Sequence, residues 1–238
     1  MGKMKLTILG CQGPYPGPGK ATSGYLLEGD GVKLLLDCGS GVLGRLQKHL
    51  SPVELTGIFI SHFHYDHWAD LPVLRYLLEG GRRRSPLPVF LPTGAPEEGQ
   101  LAQGSVFDPR PVEDETLAFG PWEISFLRTR HPVPCYAIKV TGERRFVYSA
   151  DTGWSEKLPD FFRSADLVLC EAGLVEGTNG EGVHLTPGQA GAAAAAAGAG
   201  RLLLTHLAPE RETEEVLREA RGIYPASELA KEGESHEF

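Results

Sequence analysis

Five short apolar runs in this chain each stop at an acid or an imidazole. Residues 32–36 end at Asp37, 57–60 lead into His62, 145–149 lead into Asp151, 167–170 end at Glu171 and 202–205 end at His206. His131 follows a further run, 122–127, by a few residues. Runs of this length bounded by turn residues read as buried strands. Six segments therefore deliver ionisable groups to one edge of the sheets. Burying that many unpaired groups would cost several kcal/mol each. A metal centre removes the cost, because it gives every group a partner.

The densest of these deliveries is His62-Phe63-His64-Tyr65-Asp66-His67. Neutral imidazole nitrogen and carboxylate oxygen are the usual ligands for zinc and similar divalent ions. His62 and His64 are two apart, so in extended backbone they point the same way. Asp66 and His67 are adjacent and diverge, which suits a second ion. The motif follows the strand-like run 57–60 and precedes an amphipathic stretch from Trp68. A strand end opening into a helix is where open α/β sheets place their sites.

Bulk properties narrow the class. At 238 residues the chain can bury a sizeable core, and its 41% hydrophobic and 23% charged content is that of an ordinary globular protein. No apolar run reaches the ~20 residues a membrane span needs. The first ten residues read as a strand rather than a signal peptide, so a cytoplasmic location is expected. Cys11, Cys38, Cys135 and Cys170 are scattered, without a C-x-x-C, which argues against a disulfide framework or a thiolate zinc knuckle. A net charge of −8 disfavours an extended nucleic-acid surface. Asn179 is the only Asn and Pro is frequent, as in thermophiles, although a GC-rich genome leaves the same trace.

No linker, tail or charge block divides residues 1–238, so one domain is expected. Strands are expected at 4–9, 24–28, 32–36, 57–60 and 88–91, then at 122–127, 137–140, 145–149, 166–170 and 202–205. Helices are expected at 42–49, 68–78, 156–162, 187–199 and 212–222. The similar order in the two halves predicts two sheets facing each other with helices outside. The alanine run 192–197 is apolar on every side and predicts a buried helix packed closely through small side chains.

The residues now assembled resemble the metallo-β-lactamase superfamily. The likeness rests on Leu9-Gly10-Cys11-Gln12-Gly13, Leu35-Leu36-Asp37-Cys38-Gly39, the H-x-H-x-D-H motif, His131, Ser149-Ala150-Asp151-Thr152-Gly153 and Leu204-Thr205-His206. It implies an α/β fold, a four-layer αββα sandwich of two mixed sheets. It implies that His62, His64 and His131 hold one metal, that Asp66, His67 and His206 hold the other, and that Asp151 bridges. Asp37 would be the carboxylate that orients a ligand imidazole. Leu169-Cys170-Glu171-Ala172 and Val183-His184-Leu185-Thr186 are similar to two segments of ribonuclease Z whose Glu and His cooperate near the scissile phosphate. Carried over, these are Glu171 and His184. Ribonuclease Z commonly inserts a long transfer-RNA-gripping arm between the segments matching His131 and Asp151. Only about twenty residues separate them here, enough for two strands.

The resemblance implies a short-form, ribonuclease-Z-like hydrolase with two divalent ions. Zinc is the default, with manganese or iron as alternatives. Its expected chemistry is hydroxide attack on a small or cyclic phosphodiester or a nucleic-acid 3′ end. Asp66, His184 and Glu171 are the expected catalytic residues. Hydrolysis of a thioester or lactone is the second reading, and a non-hydrolytic metal protein the third. Expected partners are an anionic small molecule or nucleic-acid end, without a membrane, and a second copy of the chain in a homodimer. Residues 13–20 lack the Walker spacing and are expected to form a turn-rich loop over the site. Arg82-Arg83-Arg84 is expected to be a solvated turn, with a phosphate clamp or subunit contact as the alternative. Trp68 is read as pocket wall or core, Asp70 as a helix-start acid, and His49 and His236 as surface residues.

Overall fold

Side-chain alternation sorts the buried strands into layers. In β1 (Lys5–Gly10), Leu6 and Ile8 enter one hydrophobic cluster and Leu9 another. In β2 (Gly24–Gly29), Tyr25 and Leu27 join the first and Leu26 the second. β3 (Val32–Leu36) repeats the pattern, with Leu34 and Leu36 on one side and Leu35 on the other. In β11 (Leu167–Glu171), Leu167 and Leu169 meet the first cluster while Val168 and Cys170 enter a third. Strands apolar on both faces must be covered on both faces. The shared cluster therefore lies between two sheets, and the other two lie under helices.

The computed structural model describes residues 2–80, 83, 85–94, 101, 106–112, 116–174 and 182–238. One sheet runs in the order β14-β1-β2-β3-β4-β5-β6 and the other β13-β12-β11-β10-β9-β8-β7. The remaining strands are β4 (Gly57–Phe59), β5 (Leu87–Leu91), β6 (Phe107–Pro111), β7 (Leu117–Phe119), β8 (Trp122–Arg128), β9 (Tyr136–Thr141), β10 (Arg145–Tyr148), β12 (Leu202–Thr205), β13 (Ser227–Leu229) and β14 (Ser235–Glu237). The two sheets repeat one scheme. β3 to β6 are parallel, as are β10 to β13, and the other pairings are antiparallel. Only the last strand leaves its half: β14 pairs with β1 of the opposite sheet.

Helices α1 (Val42–Leu46) and α3 (Leu71–Gly80) cover the first sheet through Val42, Leu46, Leu71, Leu74 and Leu78. Helices α4 (Leu158–Phe162), α5 (Pro187–Ala197) and α6 (Thr213–Arg221) cover the second. This is the four-layer αββα sandwich expected from the sequence. The interval from His131 to Asp151 holds β9 and β10, the two strands expected there.

Several local expectations change. The helix expected over 68–78 is two helices, α2 (Tyr65–Trp68) and α3, separated at Ala69 and Asp70. Asp70 does sit at a helix start, but its carboxylate accepts from Leu43 N at 2.9 Å and so ties down α1. α5 is one-sided rather than buried all round: Ala190, Ala193, Ala194 and Ala197 are buried, whereas Ala195 and Ala196 are exposed. Its small side chains still serve close packing, since a Cβ on Gly191 would stand 3.0 Å from Ala220 O of α6. All four cysteines are free. No helix among the described residues is long and apolar enough to cross a membrane.

Candidate metal centre

The site forms beyond the carboxyl ends of the parallel strands, where the direction of the chain must change abruptly. Three non-glycine residues take left-handed backbone there: Asp37 (φ 57°) after β3, Ala150 (φ 50°) after β10 and His206 (φ 59°) after β12. Such conformations cost of order 1–3 kcal/mol each and persist where the surroundings enforce them. Here they turn Asp37, Asp151 and His206 out of their strands into the space between the sheets' ends. His62 and His64 leave β4 on extended backbone, and their rings lie 4.7 Å apart on one side. α2 then carries Asp66 and His67.

Three groups of ligand atoms result, each lying within 4.8 Å of one another: His62, His64, His131 and Asp151; Asp66, His67 and His206; and Asp151, His184 and His206. His64 Nδ1 stands 3.0 Å from His62 Nε2 and 3.1 Å from His131 Nε2. His206 Nε2 is 3.1 Å from Asp66 Oδ2, and His67 Nε2 is 3.4 Å from the same oxygen. Asp151 reaches both sides, 3.7 Å from His62 Nε2, 3.4 Å from His67 Nε2 and 3.4 Å from His206 Nε2. All seven residues named from the sequence as metal ligands therefore meet at one place.

Hydrogen bonds behind the imidazoles decide which nitrogen faces inward. Asp37 is fully buried and accepts four donors: Ser61 N at 2.7 Å, Ser61 Oγ at 2.8 Å, His67 Nδ1 at 2.7 Å and Tyr148 OH at 2.7 Å. Because the Ser61 hydroxyl proton goes to Asp37, Ser61 Oγ accepts from His62 Nδ1 at 3.0 Å. His131 Nδ1 donates to Val183 O at 3.3 Å. Each of these rings then turns its Nε2 to the centre, where the nitrogen can meet a cation in place of a proton.

That arrangement fits a cation. His67 Nε2 and Asp151 Oδ1 are buried and make no hydrogen bond among the described residues. Imidazole nitrogens and carboxylate oxygens converge here, and a divalent ion in place of protons satisfies them together. The charges divide: burial disfavours the charged form of His67 and His206, but Asp151 outweighs it and raises both. Burial holds His62 well below the usual imidazole range, lowers His64, and brings His131 down to about 4. These three imidazoles are neutral at neutral pH. Burial opposes ionisation of Asp151 and Asp66 as well, but the neighbouring histidines His206 and His67 outweigh it and hold both carboxyls below their ordinary range.

His184 and Glu171 sit beside this cluster. His184 Nδ1 donates to Glu171 Oε1 at 2.9 Å, and its ring stacks on His206 with centroids 5.3 Å apart. Glu171 is fully buried at the end of β11, and it also accepts from Thr152 N at 2.8 Å and Gly173 N at 2.9 Å. It therefore ties the loops together as well as gripping His184. Burial lowers the His184 imidazole, but the hydrogen bond and charge of Glu171 and the charge of Asp151 raise it to about 9.

Other expectations divide. The 13–20 loop does lie against the site: a Cβ on Gly13 would stand 2.2 Å from His206 Nε2. Trp68 is core, 4% exposed, with Nε1 donating to Phe63 O. Arg83 is a tie, donating to Val53 O and Leu55 O, while Arg82 and Arg84 lie outside the described residues. His49 is exposed, but His236 is not a surface residue. Its side chain is 10% exposed on β14, and it accepts from Arg201 Nη2 at 3.1 Å. Sequence reading missed Ser61 and Tyr148, which hold Asp37, and Ser149, whose Oγ accepts from Glu171 N at 2.9 Å. Ser61 and Ser149 precede named residues, but hydroxyl side chains occur throughout the chain and carry no distinguishing signal.

A family model described as "Beta-lactamase superfamily domain" matches residues 33–207, an interval that contains every residue named in this site. The chain belongs to the metallo-β-lactamase superfamily. Within that superfamily it is 34% identical to "Probable metallo-hydrolase YhfI" of Bacillus subtilis, over 97% of this chain and 98% of that one. The crystal structure of YhfI superposes with a TM-score of 0.95, covering 100% of both chains at 33% identity. A ribonuclease Z of Ignicoccus hospitalis is 26% identical over 98% of this chain and 97% of its own length. That alignment runs over 293 positions against 243 for YhfI, so the ribonuclease Z carries segments that this chain lacks. The short form of human tRNase Z shares the fold, with a TM-score of 0.79, 22% identity and 98% coverage of each chain. Family and His/Asp cluster together mark a metallo-hydrolase of the β-lactamase fold.

Proposed function

We propose that this chain is a two-metal phosphodiesterase acting on a small or cyclic phosphodiester or a nucleic-acid end. His62, His64 and His131 would hold one ion and Asp66, His67 and His206 the other, with Asp151 shared. Zinc is the expected metal, since imidazole and carboxylate donors suit it. When bound, the pair supplies positive charge to a reacting oxygen and a water acidic enough to act as a nucleophile at neutral pH. Two divalent ions outweigh the charges of Asp66 and Asp151. The pocket is then cationic inside an acidic chain, which suits an anionic substrate.

The observation that carries the phosphodiester reading is the His184–Glu171 pair. Glu171 occupies Nδ1 of His184, so Nε2 is the nitrogen left to meet substrate. The ring is 27% exposed, half-buried like His64 and His131, whereas His62, His67 and His206 are buried, so it stays open to a bound molecule. An imidazolium there donates to a phosphoryl oxygen or protonates the departing alkoxide. A carbonyl substrate with a good leaving group, such as a thioester, has no need of that proton. The likeness to ribonuclease Z supports phosphodiester chemistry, while the short interval between His131 and Asp151 argues against a transfer-RNA grip.

The reading is tested by assaying the metal-loaded protein side by side on a chromogenic phosphodiester, cyclic nucleotides, a precursor transfer RNA and a thioester. Turnover of the first two well above the others is expected. Preference for the thioester would replace the reading with carboxyl-ester hydrolysis, and efficient processing of the precursor would restore the RNA role.

A further inference from the structure

A second concave space lies behind the metal centre. It has a volume of about 340 Å³ and is bounded by the 11–20 loop, residues 207–213 and residues 229–232. None of the residues placed at the metal centre lines it. Leu204, Leu207 and Leu229 give it an apolar wall, and Lys20, Arg211 and Lys231 are the cations at its edge. Its size and mix of apolar wall with few polar groups are those of a small-molecule site.

Two of these cations have carboxylate partners, Lys231 with Glu234 at 3.8 Å and Lys20 with Glu232. Glu232 is its carboxylate, and it is already engaged by Arg45 Nη2 at 2.9 Å, Ala21 N at 2.7 Å and Lys20 Nζ at 3.6 Å. Arg211 is different. Its Nε is buried without a hydrogen-bond partner, and among the described residues its guanidinium makes no ion pair. An anionic ligand in the pocket would supply the charge that this guanidinium lacks, through its outer N–H groups. Thr213, the first residue of α6, adds a hydroxyl on the same side.

We propose that this pocket is a second ligand site, taking a small organic anion whose carboxylate, sulfonate or phosphate meets Arg211 and whose apolar body lies on Leu204, Leu207 and Leu229. The ligand would lie across one chain segment from the metal centre. Cys11 O, on the pocket side, accepts both His206 N at 2.8 Å and Leu207 N at 3.4 Å. Occupancy therefore bears on the segment that carries His206.

The test is a fluorescence titration of the whole metal-loaded chain with anilinonaphthalene sulfonate, an anion of this class. Saturable binding is expected. Arg211→Gln removes the charge and should weaken it by about tenfold or more, the worth of a charge-assisted hydrogen bond. Ala208→Trp fills the space and should weaken it likewise, and Lys48→Gln, an exposed change elsewhere, should leave it unchanged. Thermal melts identify a variant that fails to fold, and the other variant then decides. No saturable binding to the parent chain, or a folded Arg211→Gln or Ala208→Trp protein that binds as the parent does, overturns the proposal.

Discussion

His184 Nδ1 lies 2.9 Å from Glu171 Oε1 and 4.0 Å from Asp151 Oδ2. The imidazole is thus tethered from behind by a carboxylate that is itself fixed by two backbone N–H groups. Position, charge and proton are set by one contact. His184→Ala is expected to leave metal content intact and to lower turnover of a phosphodiester roughly 10²- to 10⁴-fold, the usual worth of a positioned acid. Thioester turnover, if any, should be little affected. Unchanged phosphodiester kinetics would remove His184 from the mechanism.

The same contact sets a pH dependence. In the metal-free chain Glu171 and Asp151 overcome burial and raise the imidazole to about 9; with Asp151 taken up by bound ions Glu171 alone holds the proton, which is lost as pH climbs to that value or below it. Activity that uses the proton should fall over the same window. Glu171→Gln removes the charge and should move the descending limb toward 6.5, the ordinary imidazole value. A limb that stays in place in the variant would mean that another group titrates there.

Asp37 is expected to matter more than its distance from substrate suggests. Asp37→Ala strips four buried donors of their acceptor and should cost about 3–5 kcal/mol, as when one partner of a buried pair is removed. Metal affinity should fall roughly 10- to 100-fold, because His67 loses the bond that fixes its tautomer. Tyr148→Phe removes one donor only and should cost about 1.5–3 kcal/mol, the worth of a bond to a charged group. Denaturant unfolding and metal titration of both variants check this ordering. A Tyr148→Phe protein as damaged as Asp37→Ala would contradict it.

Gly13 tests the loop that closes on His206. Its Cβ position is 2.2 Å from His206 Nε2, the atom that faces Asp66. Gly13→Ala must displace either the ring or the loop, at about 1–3 kcal/mol for overpacking. Metal content is expected to drop by about one equivalent, leaving the His62, His64 and His131 side filled. Full metal content in the folded variant would show that the loop yields instead.

What the sequence made legible follows from what each residue had to do. β11 and β12 are buried on both faces, and unbroken apolar runs announced them, as did the Leu34-Leu35-Leu36 end of β3. β6, β7, β13 and β14 went unseen. All four end a sheet; β6, β13 and β14 carry few apolar residues, and β6 reads Phe-Asp-Pro-Arg-Pro, whose prolines suit only an edge. β7 is a three-residue edge. The seven clustered His and Asp residues were legible because burying imidazoles and carboxylates at strand ends makes sense only in company. Tyr148 and Ser61 were not, since a hydroxyl aimed at Asp37 looks like any other until the two sheets face each other. The break between α2 and α3 was hidden because Asp70 serves the neighbouring helix rather than its own.

The most direct measurement is metal stoichiometry of the purified chain, taken together with hydrolysis of a chromogenic phosphodiester before chelation, after it and on metal return. About two equivalents of divalent metal per chain are expected, with activity lost on chelation and restored by the metal alone. A chain that carries its full metal and is inert toward phosphodiesters, or one that hydrolyses them undiminished after the metal is stripped, would contradict the two-metal phosphodiesterase.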